Sequence, residues 1–351
     1  LTERGQLILL PEHCGRERQD LVGGKASSLG ELVRAGAKVP PFFALSSKAY
    51  DEFIEYNRVR PLVEKIGKTR DLQEVQAVAE EIRSSILSGS FPQRLESELL
   101  RAFSELVNRW GSVAVRSSAT REDAVVASFA GQFETYLGVR REDEFLQSVK
   151  GCYASLYNDR AVAYRHKMGL PQDDIQMAVV VQGLVRARSA GVMFTVNPVN
   201  GDPSVIAIES SWGLGEAVVK GEVIPDRYLI NKVTLEVLRF DLSPSKHVRY
   251  VPLDDGLVVR VETNERSGEL SLEREEALEL ARMGKSLEAY FGHPQDVEWV
   301  VGTGLGGEEG VFVVQSRPVT VATTVSRPSW QSSIDDPLER VLAILMKGVK
   351  V

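Results

Sequence analysis

The run Val113-Ala114-Val115-Arg116-Ser117-Ser118-Ala119-Thr120 constrains this chain more than any other stretch. A β-prone segment ends in an arginine and a cluster of small hydroxyl residues, and a loop follows from Arg121 to Leu137. A strand that delivers an arginine to a small-residue loop suits a polyanion. The guanidinium pairs with the anion, and small side chains let backbone N–H groups come close. An ordinary hairpin with one solvated arginine fits the same residues, so the rest of the chain has to decide.

Upstream, Gly23-Gly24-Lys25-Ala26-Ser27-Ser28-Leu29-Gly30-Glu31-Leu32-Val33 puts two glycines before an apolar-periodic run. Leu29, Leu32 and Val33 are predicted to share a helical face, with Gly36 at the helix end. Lys25 then sits at a helix start, where its charge opposes the dipole. That placement makes sense if an anion is shared there with free N–H groups. It is not a P-loop, because Gln19 stands in place of the first glycine and Ala26 in place of the magnesium-binding hydroxyl.

Residues 46–109 read as packing helices, one of them capped by Ser46 or Ser47. A further helical stretch covers 144–168, with Cys152 and His166 as packing or surface residues. Ile175 to Gln182 and Ala190 to Val196 read as two strands joined through Gly183 to Ser189. Gln182 closes the first, and its amide is suited either to a structural role or to reading an exocyclic amine. A strand ending at Glu209 runs into Ser211-Trp212-Gly213-Leu214-Gly215-Glu216, where Trp212 is either a packed turn or a pocket wall. Ser271 is predicted to open a helix over 272–291.

Alternation along Asp296-Val297-Glu298-Trp299-Val300-Val301 puts Asp296, Glu298 and Val300 on one face. Gln315 and Arg317 share a face of Val311-Phe312-Val313-Val314-Gln315-Ser316-Arg317-Pro318. Paired as a hairpin, these bring a carboxylate, an amide and a guanidinium together. Glu298 and the Gln315 oxygen are hard ligands that suit magnesium beside a phosphate, and Arg317 offsets the remaining charge. An edge hairpin with a solvated polar face is the other reading. Gly302-Thr303-Gly304-Leu305-Gly306-Gly307 matches GxGxxG but lies between two strands, so it is a hairpin connection and not a dinucleotide fingerprint.

The remaining composition excludes rather than selects. The chain has 351 residues, enough for two or three lobes, with net charge -7 and no basic block that would suit a nucleic acid. No apolar run spans a bilayer. Leu1 to Leu10 holds Glu3 and Arg4 and does not read as a signal peptide, and two distant cysteines fit a reducing, cytoplasmic setting without structural zinc.

Taken in order, Val22-Gly23-Gly24-Lys25, Val115 to Thr120, Ser128-Phe129-Ala130-Gly131-Gln132, Ser211 to Glu216, Asp296-Val297-Glu298-Trp299 and Gln315-Ser316-Arg317-Pro318 resemble one known domain. It is the nucleotide-binding domain of the phosphoenolpyruvate synthase and pyruvate phosphate dikinase family, which rifampicin phosphotransferases share. The likeness runs from about Leu21 to Thr320. It implies an α+β chain of ATP-grasp fold, with ATP and Mg2+ between lobes and ATP split to AMP and phosphate through a phosphohistidine. By resemblance Lys25, Arg116 and Arg317 hold phosphates and are the catalytic residues. Gly131 and Thr135 belong to a loop over the phosphate tail, and Gln182 faces the adenine. Glu209 lies near the pocket wall, and Glu298 and Gln315 bind the metal.

The expected division is 1–110 as an N-terminal lobe, 111–200 as a central lobe, 201–320 as a C-terminal lobe, and 321–351 as a tail with a short amphipathic helix. The family's relay histidine sits in a glycine- and threonine-rich segment of a separate swivelling domain, beside an acceptor-binding domain. His13, His166, His247 and His293 lie in no such segment. The resemblance therefore implies partner domains or subunits that carry the histidine and the acceptor. The tail points to a natural subunit resembling the ATP-binding subunit of phenylphosphate synthase, with phenol as acceptor. The alternatives are a phosphoenolpyruvate synthase-like part acting on pyruvate, or a noncatalytic ATP sensor.

Overall fold

The computed structural model describes residues 7–120, 133–252, 258–262 and 265–319. The tail at 321–351 lies outside these residues. In chain order the first half comprises β1 (Ile8–Leu9), α1 (Gln19–Arg34), β2 (Phe42–Leu45), α2 (Ser47–Tyr56), α3 (Arg60–Lys68), α4 (Leu72–Ser88), α5 (Gln93–Trp110), β3 (Val113–Ala119), β4 (Thr135–Val139), α6 (Glu142–Ser155), α7 (Asp159–Lys167) and β5 (Met177–Gly183). The second half comprises β6 (Arg186–Phe194), β7 (Val205–Trp212), α8 (Glu216–Val219), β8 (Asp226–Asn231), β9 (Val237–Asp241), β10 (Val248–Pro252), β11 (Val258–Glu262), α9 (Arg274–Phe291), β12 (Gln295–Thr303) and β13 (Glu309–Pro318).

The strands form two main antiparallel sheets, ordered β1-β2-β5-β3-β4 and β13-β12-β6-β7-β8-β9, with β10-β11 as a separate ribbon. Antiparallel sheets with helices on their faces make the chain α+β. The expected division at residues 110 and 200 does not follow the sheets. Strands β3 to β5 share the first sheet with β1 and β2, joined through the β2–β5 pair, whereas β6 crosses to the second sheet. The link between β5 and β6 is only Leu184 and Val185, shorter than the expected Gly183 to Ser189, and the chain uses it to change sheets.

Local chemistry explains the helices. Ser46 Oγ accepts from the Ala49 N–H at the start of α2, and Asp71 does the same for Glu74 at the start of α4. In α5, Leu95, Leu99, Phe103, Leu106 and Trp110 recur at helical spacing and are all buried. Phe103 stacks on Phe145 of α6 with ring centroids 4.3 Å apart. The start of α9 differs from expectation: Glu273 and Glu276 form its capping box. Ser271 instead donates its hydroxyl to Asp226, inside a fully buried Lys246–Asp226 pair. In α1, Leu29 and Leu32 are buried as expected, but Val33 is 40% exposed.

Each sheet has two different faces. In the first, Phe43, Leu45, Val113, Val115, Val179 and Val181 pack beneath α2 and α4 to α7. The opposite face, with Phe42, Ala44 and Val180, meets α1. In the second sheet, Met193, Ile208, Val297 and Trp299 pack with Leu280 and Ala281 of α9. The two cores interlock: Ala190, Val300 and Phe312 of the second sheet belong to the cluster built on the first. The loop between α1 and β2 also lies along β13, with the Val313 N–H donating to Lys38 O at 2.9 Å.

Candidate active site

The site begins where α1 meets β3. Gly23 (φ 75°, ψ 173°) interrupts α1, so a short first turn is followed by a second helical segment. A Cβ at Gly23 would lie 2.0 Å from the Ser118 carbonyl oxygen, a distance no side chain tolerates. Ser118, itself buried, donates its hydroxyl to Val22 O (2.9 Å) and accepts from the Ala26 N–H (3.1 Å). A strand serine thereby caps the second helical segment. The Ala26 N–H, one of the groups expected to be free for an anion, is thus already engaged. Lys25 Nζ donates to Ser117 O at 2.8 Å, which holds its ammonium beside β3.

Arg116 leaves β3 on the same face as Ser118. Thr135 on β4 lies directly opposite it. The guanidinium donates to Val314 O (2.9 Å), Gln315 Oε1 (2.5 Å) and Gln182 Oε1 (3.3 Å), and lies 3.8 Å from the Glu298 carboxylate. Four of the residues singled out from sequence therefore meet in one cluster that joins the two sheets. A β-bulge makes this possible. Glu298 pairs with Gln315 and Trp299 with Val313, so Val314 is the extra residue and its carbonyl is free to turn to Arg116.

The register extends the cluster across the second sheet. Gln315, Glu298, Val192, Glu209 and Arg227 lie side by side in one row on one face. Glu209 is two strands away from Glu298, with Val192 between them, and it pairs with Arg227 through its Oε1 (3.0 Å to Nε). It borders the cluster without joining it. Trp212 lies on the opposite face, where its indole N–H donates to Arg266 O and the Arg266 guanidinium sits 3.6 Å from its ring centroid. Of the two readings, the packed one holds.

Arg317 lies in the next row, half-exposed, and its Nε donates to Asp296 Oδ2 at 2.7 Å. Sequence alternation put Asp296 on the same face as Glu298 but gave it no role. The structure gives it one: the nearly buried carboxylate fixes the aim of Arg317. Gly131 lies outside the described residues. Among the described residues, no three His, Cys, Asp or Glu side chains converge to hold a metal. Glu298 and Gln315 offer two hard oxygens, a set that suits an ion taking its remaining ligands from phosphate and water.

Behind β3, Cys152 is fully buried, and burial pushes its thiol up to about 12. It is a packing residue and not a nucleophile. A cavity of about 430 Å³ opens beyond the end of β5, bordered by Ser112, Leu184, Ala187, Arg186 and Val301. None of the predicted site residues among those described lines it, although Leu184 is two residues from Gln182. Beside it, Ala114, Leu184 and Leu214 form a small apolar cluster flanked by Leu137 and Tyr250.

The chain matches the family model described as pyruvate phosphate dikinase, AMP/ATP-binding domain, over residues 19–334. It belongs to this family. A phosphoenolpyruvate synthase of Aeropyrum pernix is 36% identical over 98% of this chain and 46% of its own length. A probable phosphoenolpyruvate synthase of Methanothermobacter thermautotrophicus is 38% identical over 88% of this chain and 45% of its own. The phosphoenolpyruvate synthase of Pyrococcus furiosus is 37% identical over 88% and 43%. The chain spans less than half the length of these relatives. The crystal structure of D-alanyl-alanine synthetase A from Vibrio cholerae aligns over 92% of this chain and 62% of its own, with a TM-score of 0.35 and 11% identity, too weak a likeness to carry an argument. Among the described residues, no helix is long and apolar enough to cross a membrane.

Proposed function

We propose that this chain is the nucleotide-binding part of a phosphoenolpyruvate synthase-like dikinase, with an ATP-grasp fold. In this reading ATP lies between the two sheets, at the Arg116 cluster. The observation that carries it is the convergence of Arg116, Gln182, Glu298 and Gln315 from four strands of two sheets. The polyphosphate is held by Lys25, Arg116 and Arg317, with Thr135 beside them. The base lies towards Gln182, against the apolar group of Ala114, Leu184 and Leu214.

The protein contributes positioning and charge neutralisation. Glu298 and Gln315 would hold a magnesium ion, which would supply Lewis-acid chemistry at the phosphates when bound. Arg317, aimed by Asp296, offsets charge that develops during transfer. The phosphoryl acceptor is a histidine on a swivelling domain or subunit, and an acceptor-binding domain or subunit completes the reaction to AMP, phosphate and a phosphorylated product. The names of the relatives favour pyruvate over phenol as the final acceptor, and none of those named is a phenylphosphate synthase. A cytoplasmic setting fits such an enzyme.

The test is AMP formation from Mg-ATP by this protein mixed with histidine-bearing and acceptor domains of a phosphoenolpyruvate synthase. Pyruvate and phenol are supplied in separate reactions. AMP with pyruvate alone is expected. AMP with phenol alone would transfer the assignment to phenol phosphorylation, and ATP binding without AMP in any mixture would favour a sensor. Arg317→Ala should keep the fold and lower phosphohistidine formation by about 10²–10³-fold, the usual cost of one transition-state donor.

A further inference from the structure

We infer that Arg116 is a gate on the cation site, holding Glu298 and Gln315 closed to a divalent ion until a phosphate draws the guanidinium away. This rests on the reading of Glu298 and Gln315 as the cation's donors. The guanidinium bonds one and faces the other. It donates to Gln315 Oε1 at 2.5 Å and stands 3.8 Å from the Glu298 carboxylate. Its side chain is only 13% exposed, so solvent screens it poorly. A magnesium ion bound to Gln315 Oε1 at its usual distance would lie no farther than about 4.6 Å from the guanidinium nitrogen already on that oxygen. A dication and a guanidinium at that separation repel, and the Glu298 carboxylate already faces the guanidinium.

Two further features fit a resting state held ready for exchange. Arg116 is fastened to the second sheet by neutral acceptors, Val314 O and Gln315 Oε1, which are weaker partners than a phosphate. Gln182 accepts from Arg116, yet its own Nε2 is buried and meets no acceptor among the described residues. Such an orphaned donor is uncommon in a finished network. When a phosphate offers paired oxygens, the guanidinium turns to it, Glu298 and Gln315 are released, and the cation site becomes anionic. The consequence is ordered binding. The protein takes the cation with or after the nucleotide, and free divalent ions do not fill the site.

The test uses Mn2+ as probe. Free Mn2+ is followed by electron paramagnetic resonance while it is titrated into the nucleotide-free protein, with circular dichroism to confirm folding. Arg116→Gln should bind Mn2+ at least about tenfold more tightly than the wild type, a coupling of ordinary size. Adding Glu298→Gln to that variant should abolish the gain. If Arg116→Gln does not fold, Arg116→Lys is read instead. It keeps one charge but cannot reach Val314 O, Gln315 and Gln182 together, and a gain of about threefold is expected at the low end of such couplings. Equal Mn2+ affinity in wild type and variant overturns the gate, as does a gain that survives Glu298→Gln. Calorimetry of Mg-ATP on the wild type separates the two proposals. No nucleotide binding overturns the functional reading, whereas normal binding without any Mn2+ difference overturns the gate alone.

Discussion

Ser118 is fully buried and bonds to both sides of the break in α1. Replacing it by alanine removes a cap from a helix segment and strands a buried carbonyl. Ser118→Ala should lower stability by about 1–2 kcal/mol and weaken ATP binding by loosening the helical segment that carries Lys25, seen by denaturant titration and calorimetry. The two thiols give a pH-dependent prediction. Burial raises Cys14 and Cys152 from 9.0 to about 12. The unfolded chain loses these protons near pH 9 while the native state holds them to about 12, so stability falls as pH rises through that window. Below pH 9 neither thiol contributes a slope. At pH 8 a disulfide reagent should find no fast thiol in the native protein and two in denaturant. Replacing both cysteines by alanine should lessen the alkaline fall, leaving the part due to Tyr136 and Tyr228, which burial also raises to about 12. The residues that meet at Arg116 were legible because charged and amide side chains within otherwise apolar or small-residue strands stand out from their neighbours. Ser118 was not, since a serine in a small-residue strand looks like any other until its partners 92 and 96 residues away are known.

At the level of elements, the glycine of the α1 break is the most exposed to change. Gly23→Ala puts a methyl into the Ser118 carbonyl and forces a positive φ on alanine, so it should cost about 1–3 kcal/mol and displace Lys25 from Ser117. A lower melting temperature together with weakened ATP binding is expected. Loss of stability with unchanged binding would show that the break matters to folding alone. Phe103→Ala, remote from the site, should cost about 3–5 kcal/mol by opening a cavity against Phe145. Helix periods were readable from sequence because one face of each helix is apolar. The change of sheet at Leu184-Val185 was not, because two strands joined by a short link read alike whether they pair or part. The bulge at Val314 was equally hidden: alternation placed Gln315 and Arg317 correctly, but nothing in the sequence marks the residue that slips out of register.

At the scale of the molecule, the two sheets do not have separate cores. Val300 and Phe312 pack with the first sheet's cluster, and Phe42, Ala44 and Val180 pack with the second's. Neither half buries its apolar surface without the other. One cooperative transition is therefore expected in calorimetry, with the van't Hoff and calorimetric enthalpies in agreement. Two separable transitions would mean that the lobes are independent units.

The attachment of α1 to β13 carries a consequence for biosynthesis. Ser28 donates its hydroxyl to Ser316 O, a bond between residues 288 positions apart. Helix α1 emerges from a ribosome long before its partner strand exists, and so does the α1–β2 loop that lies along β13. At 5–20 residues per second, roughly 15–60 seconds separate the two. For that interval the nascent chain displays Phe42, Leu29 and the surface meant for β13 without cover. Arg116 likewise waits for the oxygens of Val314 and Gln315. A chain with such distant pairings folds slowly and late, and a chaperone that shields the first two hundred residues would have the greatest effect on its yield.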